Sequence, residues 1–300
     1  MKPVLLIAAL LFSGSAMAGP QIAVTFDDLP AHGVLPAGIS RLQIARTVVD
    51  ALKAGGIPPT YGFVNAALIQ DDPAAAPVLT LWRQSGNLLG NHTWSHPGLS
   101  KLSVTDYEAE IVKNEPVIAA AAGNSDWHWF RYPFIDEGKD EAQRAEVRQF
   151  LAGRGYHIAA VTTGLNDWDY PSVYARCLAK NDTAAVARLE QMYLTRAAQG
   201  FDYSRAMAAS RYGRDIPYIL LQHIGSFQAH ILPKLIAMYK AKGASFISLE
   251  QAVKDPANRA AAEPALPAPL RGLEAELAAK NLPVPPAPDN RTAELDTICQ

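Results

Sequence analysis

Short apolar runs alternating with longer amphipathic segments predict an α/β fold built on parallel strands. Seven runs read as strands: residues 21–26, 60–64, 87–91, 128–132, 157–162, 218–223 and 245–248. Helical periodicity fills the gaps at residues 39–54, 75–83, 104–122, 141–152, 183–198, 229–241 and 249–254. Strands joined by intervening helices run parallel through right-handed crossovers. Seven of them suggest barrel-like closure, and an open sheet fits the spacing nearly as well.

The chain opens with a leader. Lys2 supplies a positive start, Val4 to Phe12 an apolar core, and Ala16-Met17-Ala18 a cleavage site of the A-x-A type. Residues 1–18 are therefore expected to be removed as a signal peptide, and the protein to be exported to a bacterial periplasm or secreted. The first strand, Ile22-Ala23-Val24-Thr25-Phe26, is a continuous apolar run that ends in Asp27-Asp28. The third runs into Gly90-Asn91-His92-Thr93-Trp94-Ser95-His96-Pro97-Gly98. From Asp255 onward Ala and Pro dominate, which reads as an extended tail with one short helix around residues 270–280. The expected division is a leader (1–18), a single barrel-like domain (19–254) and a tail packed on the barrel (255–300).

Composition excludes several functions. The chain has 300 residues, 49% of them hydrophobic, and a formal net charge of −2. That balance offers no electrostatic footprint for nucleic acid or an anionic membrane. No later segment is long and apolar enough to span a bilayer, so no transmembrane segment is expected in the mature chain. The only cysteines are Cys177 and Cys299. Neither belongs to a CxxC pair, which argues against thiol redox chemistry and a Cys-type zinc site. In an oxidising compartment a Cys177–Cys299 disulfide is expected to staple the tail across the barrel near the active-site rim, with Cys177 on a surface segment. Two free thiols are the alternative.

His92 and His96 carry most of the functional information. A His-x3-His pair alone is weak, because such pairs also sit on helix surfaces. Here Gly90 before the pair and Pro97-Gly98 after it argue for a loop. Two aspartates alone usually mean a solvated loop or a helix cap. At the C-terminal edge of a buried parallel strand they stand where α/β folds gather catalytic groups. Two imidazoles and one carboxylate can hold a metal while leaving positions open for water and substrate.

Five clusters follow candidate strands in order, and together they resemble the polysaccharide deacetylases of the carbohydrate esterase family 4 type. Thr25-Phe26-Asp27-Asp28 is similar to that family's first motif and His92-Thr93-Trp94-Ser95-His96 to its second. Arg131-Tyr132-Pro133-Phe134 resembles the third, Asp167-Trp168 the fourth and Leu221-x-His223 the fifth. The resemblance spans about residues 21–250. It implies a distorted parallel (β/α) barrel and a metal-dependent N- or O-deacetylase in which a metal-bound water attacks an acetyl group of a glycan or acetylated oligosaccharide. Carried over by position, Asp28, His92 and His96 bind a divalent metal, zinc in most relatives, with cobalt a possible substitute. Asp27 is then the general base and His223 the general acid. Arg131 orients Asp27, and Asp167 tunes Arg131 or His223. Trp168 and Leu221 form apolar walls, Tyr132 and Phe134 lie on the substrate side, and the backbone N–H of Phe134 faces the developing oxyanion.

Two departures stand out. The family's first motif continues with Gly, whereas Leu29-Pro30-Ala31-His32-Gly33 follows here. Asp169-Tyr170 competes with Asp167-Trp168 for the fourth motif. His32 reads either as a substrate contact or, more simply, as a loop residue bonded to backbone. His128, His157 and His230 read as structural or surface residues. The alternative functions are a metal-dependent amidohydrolase acting on a small non-sugar amide, and a carbohydrate-binding relative without catalysis. A Ser-His-Asp hydrolase lacks its Gly-x-Ser-x-Gly elbow. Oligomeric state stays open.

Overall fold

The computed structural model describes residues 19–289 and 292–300. The expected leader lies outside the described residues. The chain runs β1 (Gln21–Leu29), α1 (Arg41–Gly55), β2 (Tyr61–Val64), α2 (Ala67–Asp71), α3 (Pro77–Gln84) and β3 (Leu88–Asn91). It continues through α4 (Val104–Ala122), β4 (Trp129–Phe130), α5 (Glu141–Gly153), β5 (His157–Ile158), α6 (Tyr170–Ala179) and α7 (Thr183–Tyr212). The last elements are β6 (Pro217–His223), α8 (Ser226–Ala241), β7 (Ser245–Phe246), α9 (Leu249–Ala252), α10 (Pro256–Ala262) and α11 (Gly272–Ala279).

All strand pairs are parallel, in the order β5-β4-β3-β2-β1-β6, with β7 beside the start of β1. The sheet curls until its ends meet. Beyond β5, Thr163 bridges Leu220 of β6 in parallel, and the Thr162 N–H donates to the Ile219 carbonyl at 3.1 Å. An irregular segment thus closes the ring, giving a distorted (β/α) barrel. β1 is paired on both sides, by β2 and β6, and its residues from Ile22 to Asp27 are buried.

Local chemistry accounts for the helices. Ser40 and Gln43 form a reciprocal capping box at the start of α1, and Gly56 ends it with φ 67°. Ser103, Asp140 and Asp182 cap α4, α5 and α7 through side-chain bonds to backbone N–H groups.

The sequence reading ended the helix in α7 near residue 198, yet it runs 30 residues to Tyr212. Gly200 lowers helix propensity just beyond that point, but Phe201, Ser204, Met207 and Ala208 continue the buried stripe. Gly200 serves close approach instead, since a Cβ there would lie 3.4 Å from the Gly164 carbonyl. α6 was not foreseen. It buries Cys177 completely, so this cysteine is not on the surface segment expected of it.

The tail is packed rather than loose. Leu277, Leu295 and Ile298 are buried, and Cys299 is bonded to Cys177 with a Cα–Cα distance of 5.2 Å. Buried Arg148 donates to the carbonyls of Ala260, Ala261, Glu263 and Leu266, and Arg144 to that of Pro269. These guanidinium groups satisfy tail carbonyls that a Pro-rich segment cannot pair by itself. No helix among the described residues is long and apolar enough to cross a membrane.

Candidate active site

Strand register assembles the site. Asp27 of β1 stands opposite His223 of β6, and Asn91 of β3 opposite Phe130 of β4. Asp27-Asp28, His92, Arg131 and His223 therefore meet at the C-terminal ends of neighbouring strands. Asp28, Thr93, His96 and Phe134 all have φ between 58° and 65°, a left-handed conformation that costs non-glycine residues energy and gathers at functional sites.

The Asp28, His92 and His96 ligand atoms all lie within 4.8 Å of one another. Asp28 Oδ1 stands 3.6 Å from His92 Nε2 and 3.4 Å from His96 Nε2. The His92 Nδ1–H donates to the Arg131 carbonyl at 2.7 Å, which leaves the Nε2 lone pair facing the carboxylate. Burial drives His92 down to about 3 and lowers His96 as well, so both rings are neutral and able to ligate. Burial opposes ionisation of Asp28, but His223, His92, His96 and His32 outweigh it and hold the group below its usual range. Asp28 Oδ1 is buried and makes no hydrogen bond, a cost that a cation would remove. These residues fit a divalent metal.

Asparagines fix the histidine loop. Asn65 donates to the His92 and Thr93 carbonyls, and Asn91 Oδ1 accepts from the Thr93 N–H and from Asn114. Ser95 is tied to Glu110 through both its N–H and its hydroxyl. The sequence reading missed Asn65 and Asn114, because a buried amide far along the chain leaves no local signature.

Asp27 is buried, and burial pushes its carboxyl up to about 6 despite Arg131 and His223 nearby. Arg131 therefore orients Asp27 but does not by its charge outweigh burial. Arg131 Nη1 stands 3.5 Å from Asp27 Oδ2, and Nη2 donates to Thr25 Oγ1 at 2.8 Å. On His223, burial acts downward, but Asp167 and the two site aspartates overcome it and raise the ring to about 9. The His223 Nδ1–H donates to Asp167 Oδ1 at 2.6 Å, and its backbone N–H donates to Oδ2 at 2.8 Å. Asp167, rather than Asp169, is thus the partner of His223, and it contacts His223 rather than Arg131.

The proposed substrate side is only partly as expected. Phe134 is 72% exposed with its ring 4.5 Å from His96, and Trp168 is 46% exposed with its ring 5.5 Å from His223. Leu221 is buried. Tyr132 is turned into a second core cluster with Tyr107 and Phe130, so its ring is not on the open side. His32 is a loop residue bonded to backbone, its own backbone N–H donating to the Ile224 carbonyl, and its ring also packs against His223 with Nε2 unpartnered among the described residues.

Residues 14–152 match the family model described as polysaccharide deacetylase. That stretch holds the two aspartates, the histidine pair and Arg131, and stops before Asp167 and His223. A peptidoglycan-N-acetylglucosamine deacetylase of Bacillus cereus is 26% identical over 141 residues, covering 45% of this chain and 46% of its own length. A chitin deacetylase of Arthroderma benhamiae is 27% identical over 149 residues, covering 50% of this chain and 35% of its own. The chain thus spans about half or less of the curated relatives it matches. In fold it is similar to the chitin deacetylase of Colletotrichum lindemuthianum, with a TM-score of 0.53, 22% identity, and coverage of 81% of this chain and 92% of that one. Sequence match, barrel and strand-end cluster agree: residues 14–152, a little under half of the chain, match the polysaccharide deacetylase family, and the fold is that of its solved members.

Proposed function

We propose that this protein is an exported, metal-dependent deacetylase that hydrolyses an N- or O-linked acetyl group of a glycan. Residues 19–254 form its catalytic barrel in this reading, and residues 255–300 a strap across it. The observation that carries the reading is the opposed pair of Asp27 and His223, one buried carboxyl poised near neutrality and one charged imidazole, beside the Asp28-His92-His96 triad.

A divalent ion held by Asp28, His92 and His96, zinc or in its place cobalt, would supply Lewis acidity, polarising the acyl oxygen and making water more acidic. Asp27 takes a proton from the attacking water, a task suited to a carboxylate with a pKa of about 6. Arg131 keeps the Asp27 carboxylate facing the site through Nη1 while Thr25 anchors Nη2. His223, kept charged by Asp167, gives its proton to the departing nitrogen or oxygen. The backbone N–H of Phe134 is the proposed donor to the acyl oxygen as it gains charge. Exposed Phe134 and Trp168 flank the triad and the acid and offer faces for the apolar surfaces of a sugar, which supports a glycan over a small amide.

The test is acetate release by the purified mature protein from chitin oligomers, peptidoglycan, acetylxylan and small amides, with and without chelator. Chelator-sensitive release from a glycan is expected. Release confined to small amides would move the substrate class, and binding without release would point to a non-catalytic relative.

A further inference from the structure

The loop after β1 brings His32 against the proposed acid. The two rings meet edge to face at 5.4 Å, and Trp168 makes a second edge contact with His223 at 5.5 Å. The backbone N–H of His32 donates to the Ile224 carbonyl at 2.9 Å, and the Ile224 N–H to the Asp27 carbonyl at 3.1 Å, so the loop is moored beside His223. On the far side of the pair, buried Gln228 donates through Nε2 to the Asp167 carbonyl at 2.6 Å.

Two polar atoms remain unmet between these residues. His32 Nε2 and Gln228 Oε1 are both buried and without a hydrogen-bond partner among the described residues, as is the Ser226 hydroxyl. A Cβ on Gly225 would stand 3.1 Å from His32 Nε2 and 2.7 Å from Gln228 Oε1, so the two atoms face one small volume beside that glycine. One atom can donate and the other only accepts. Leaving each unsatisfied is unfavourable, and a buried water makes about 2–4 hydrogen bonds to such groups.

We propose that His32 is a positioning residue for the deacetylation. His32 Nε2 and Gln228 Oε1 share one buried water beside Gly225, and this link together with the ring contact fixes the plane of His223. Asp167 anchors the Nδ1–H of the charged His223 ring; His32 and Gln228 set where the opposite N–H points. The proposal rests on the assignment of His223 as the acid.

The test uses the full mature chain and three variants: His32→Phe, His32→Gln and Gly225→Ala. Gly225 has extended backbone (φ −156°) that alanine adopts readily, so Gly225→Ala puts a methyl into the shared volume, against Pro171 and close enough to Gln228 Oε1 to displace that amide, while the chemistry of both polar side chains is kept. For an N-acetylated oligosaccharide, kcat is expected to fall about tenfold or more in His32→Phe and Gly225→Ala. KM, metal content and turnover of an activated acetyl ester are expected to hold, and His32→Gln to recover much of the loss. In metal-free protein the His223 Nδ1–H proton resonance is expected to broaden in His32→Phe and Gly225→Ala as that ring loosens. Unchanged kcat with a sharp resonance overturns the proposal. So does a rise in KM alone, or equal losses on amide and ester. If the parent protein releases no acetate from any substrate, the function assigned above fails, and the resonance still decides the His32 link.

Discussion

Replacing Asp167 by asparagine removes the charge that keeps His223 protonated while retaining an acceptor near its Nδ1–H. The His223 ring stands at about 9 against an ordinary 6.5. At 1.36 kcal/mol per pKa unit, that is about 3 kcal/mol of preference for the imidazolium. Burial is the largest influence on this ring and acts downward, so without Asp167 the value should fall to 6.5 or below. At pH 8 the charged fraction then drops from about nine-tenths to about three per cent, roughly 30-fold, whereas at pH 6 it changes little. The assay is kcat/KM on an N-acetylated oligosaccharide from pH 6 to 8.5, with metal content measured in parallel. The deficit of Asp167→Asn should grow more than about tenfold across that range. A bound dication beside Asp28 lowers His223 in both proteins, which moves the window without closing it. Folding stability supplies a second reading in metal-free protein. A histidine raised on folding contributes stability that is full below its unfolded pKa and is lost as pH climbs through its folded one. The wild type should therefore lose about 3 kcal/mol relative to the variant between pH 6.5 and 9. A deficit in kcat/KM that stays constant with pH would refute the argument, leaving Asp167 a purely geometric role.

Other outcomes follow from the same geometry. A strong chelator should abolish turnover and zinc or cobalt restore it. By elemental analysis Asp28→Ala, His92→Ala and His96→Ala should lose bound metal, whereas Asp27→Asn should keep it and lose about two orders of magnitude in kcat. Cys177→Ala should free the tail: the crosslink spans 122 residues, and loop-closure entropy sets an upper bound of about 4–5 kcal/mol, read as a fall in the unfolding midpoint and as proteolysis beyond α10. Arg148→Met leaves four tail carbonyls without this donor and should cost about 3 kcal/mol in thermal unfolding while sparing activity per folded molecule.

The tail shows where sequence reading fails for lack of local cause. Its Pro-rich composition announced an extended segment, and it is extended, but its order comes from Arg144 and Arg148 on α5 and from Cys177 on α6, more than a hundred residues away. Helix α7 makes the same point in reverse. Gly200 lowers helical propensity, and only burial of Phe201 and Met207 against the rest of the fold carries the helix past it.

Sequence by itself determined the parallel α/β class, the strand ends at which the candidate site gathers and the residue types of the Asp-His-His group that could hold a metal. Those features are local: apolar runs mark buried strands, Asp27-Asp28 sits near the end of one strand, and His92-x3-His96 sits within one loop. Tertiary structure decided everything that depends on pairing. The register of β1 against β6 sets Asp27 beside His223, and the turn after β5 selects Asp167 over Asp169. Burial, which no single segment encodes, lifts Asp27 to about 6 and hides Tyr132 in a second core. His32 belongs to this class too. Four residues from Asp28 in sequence, it acquires a partner only because β1 pairs with β6, which lies much further along the chain.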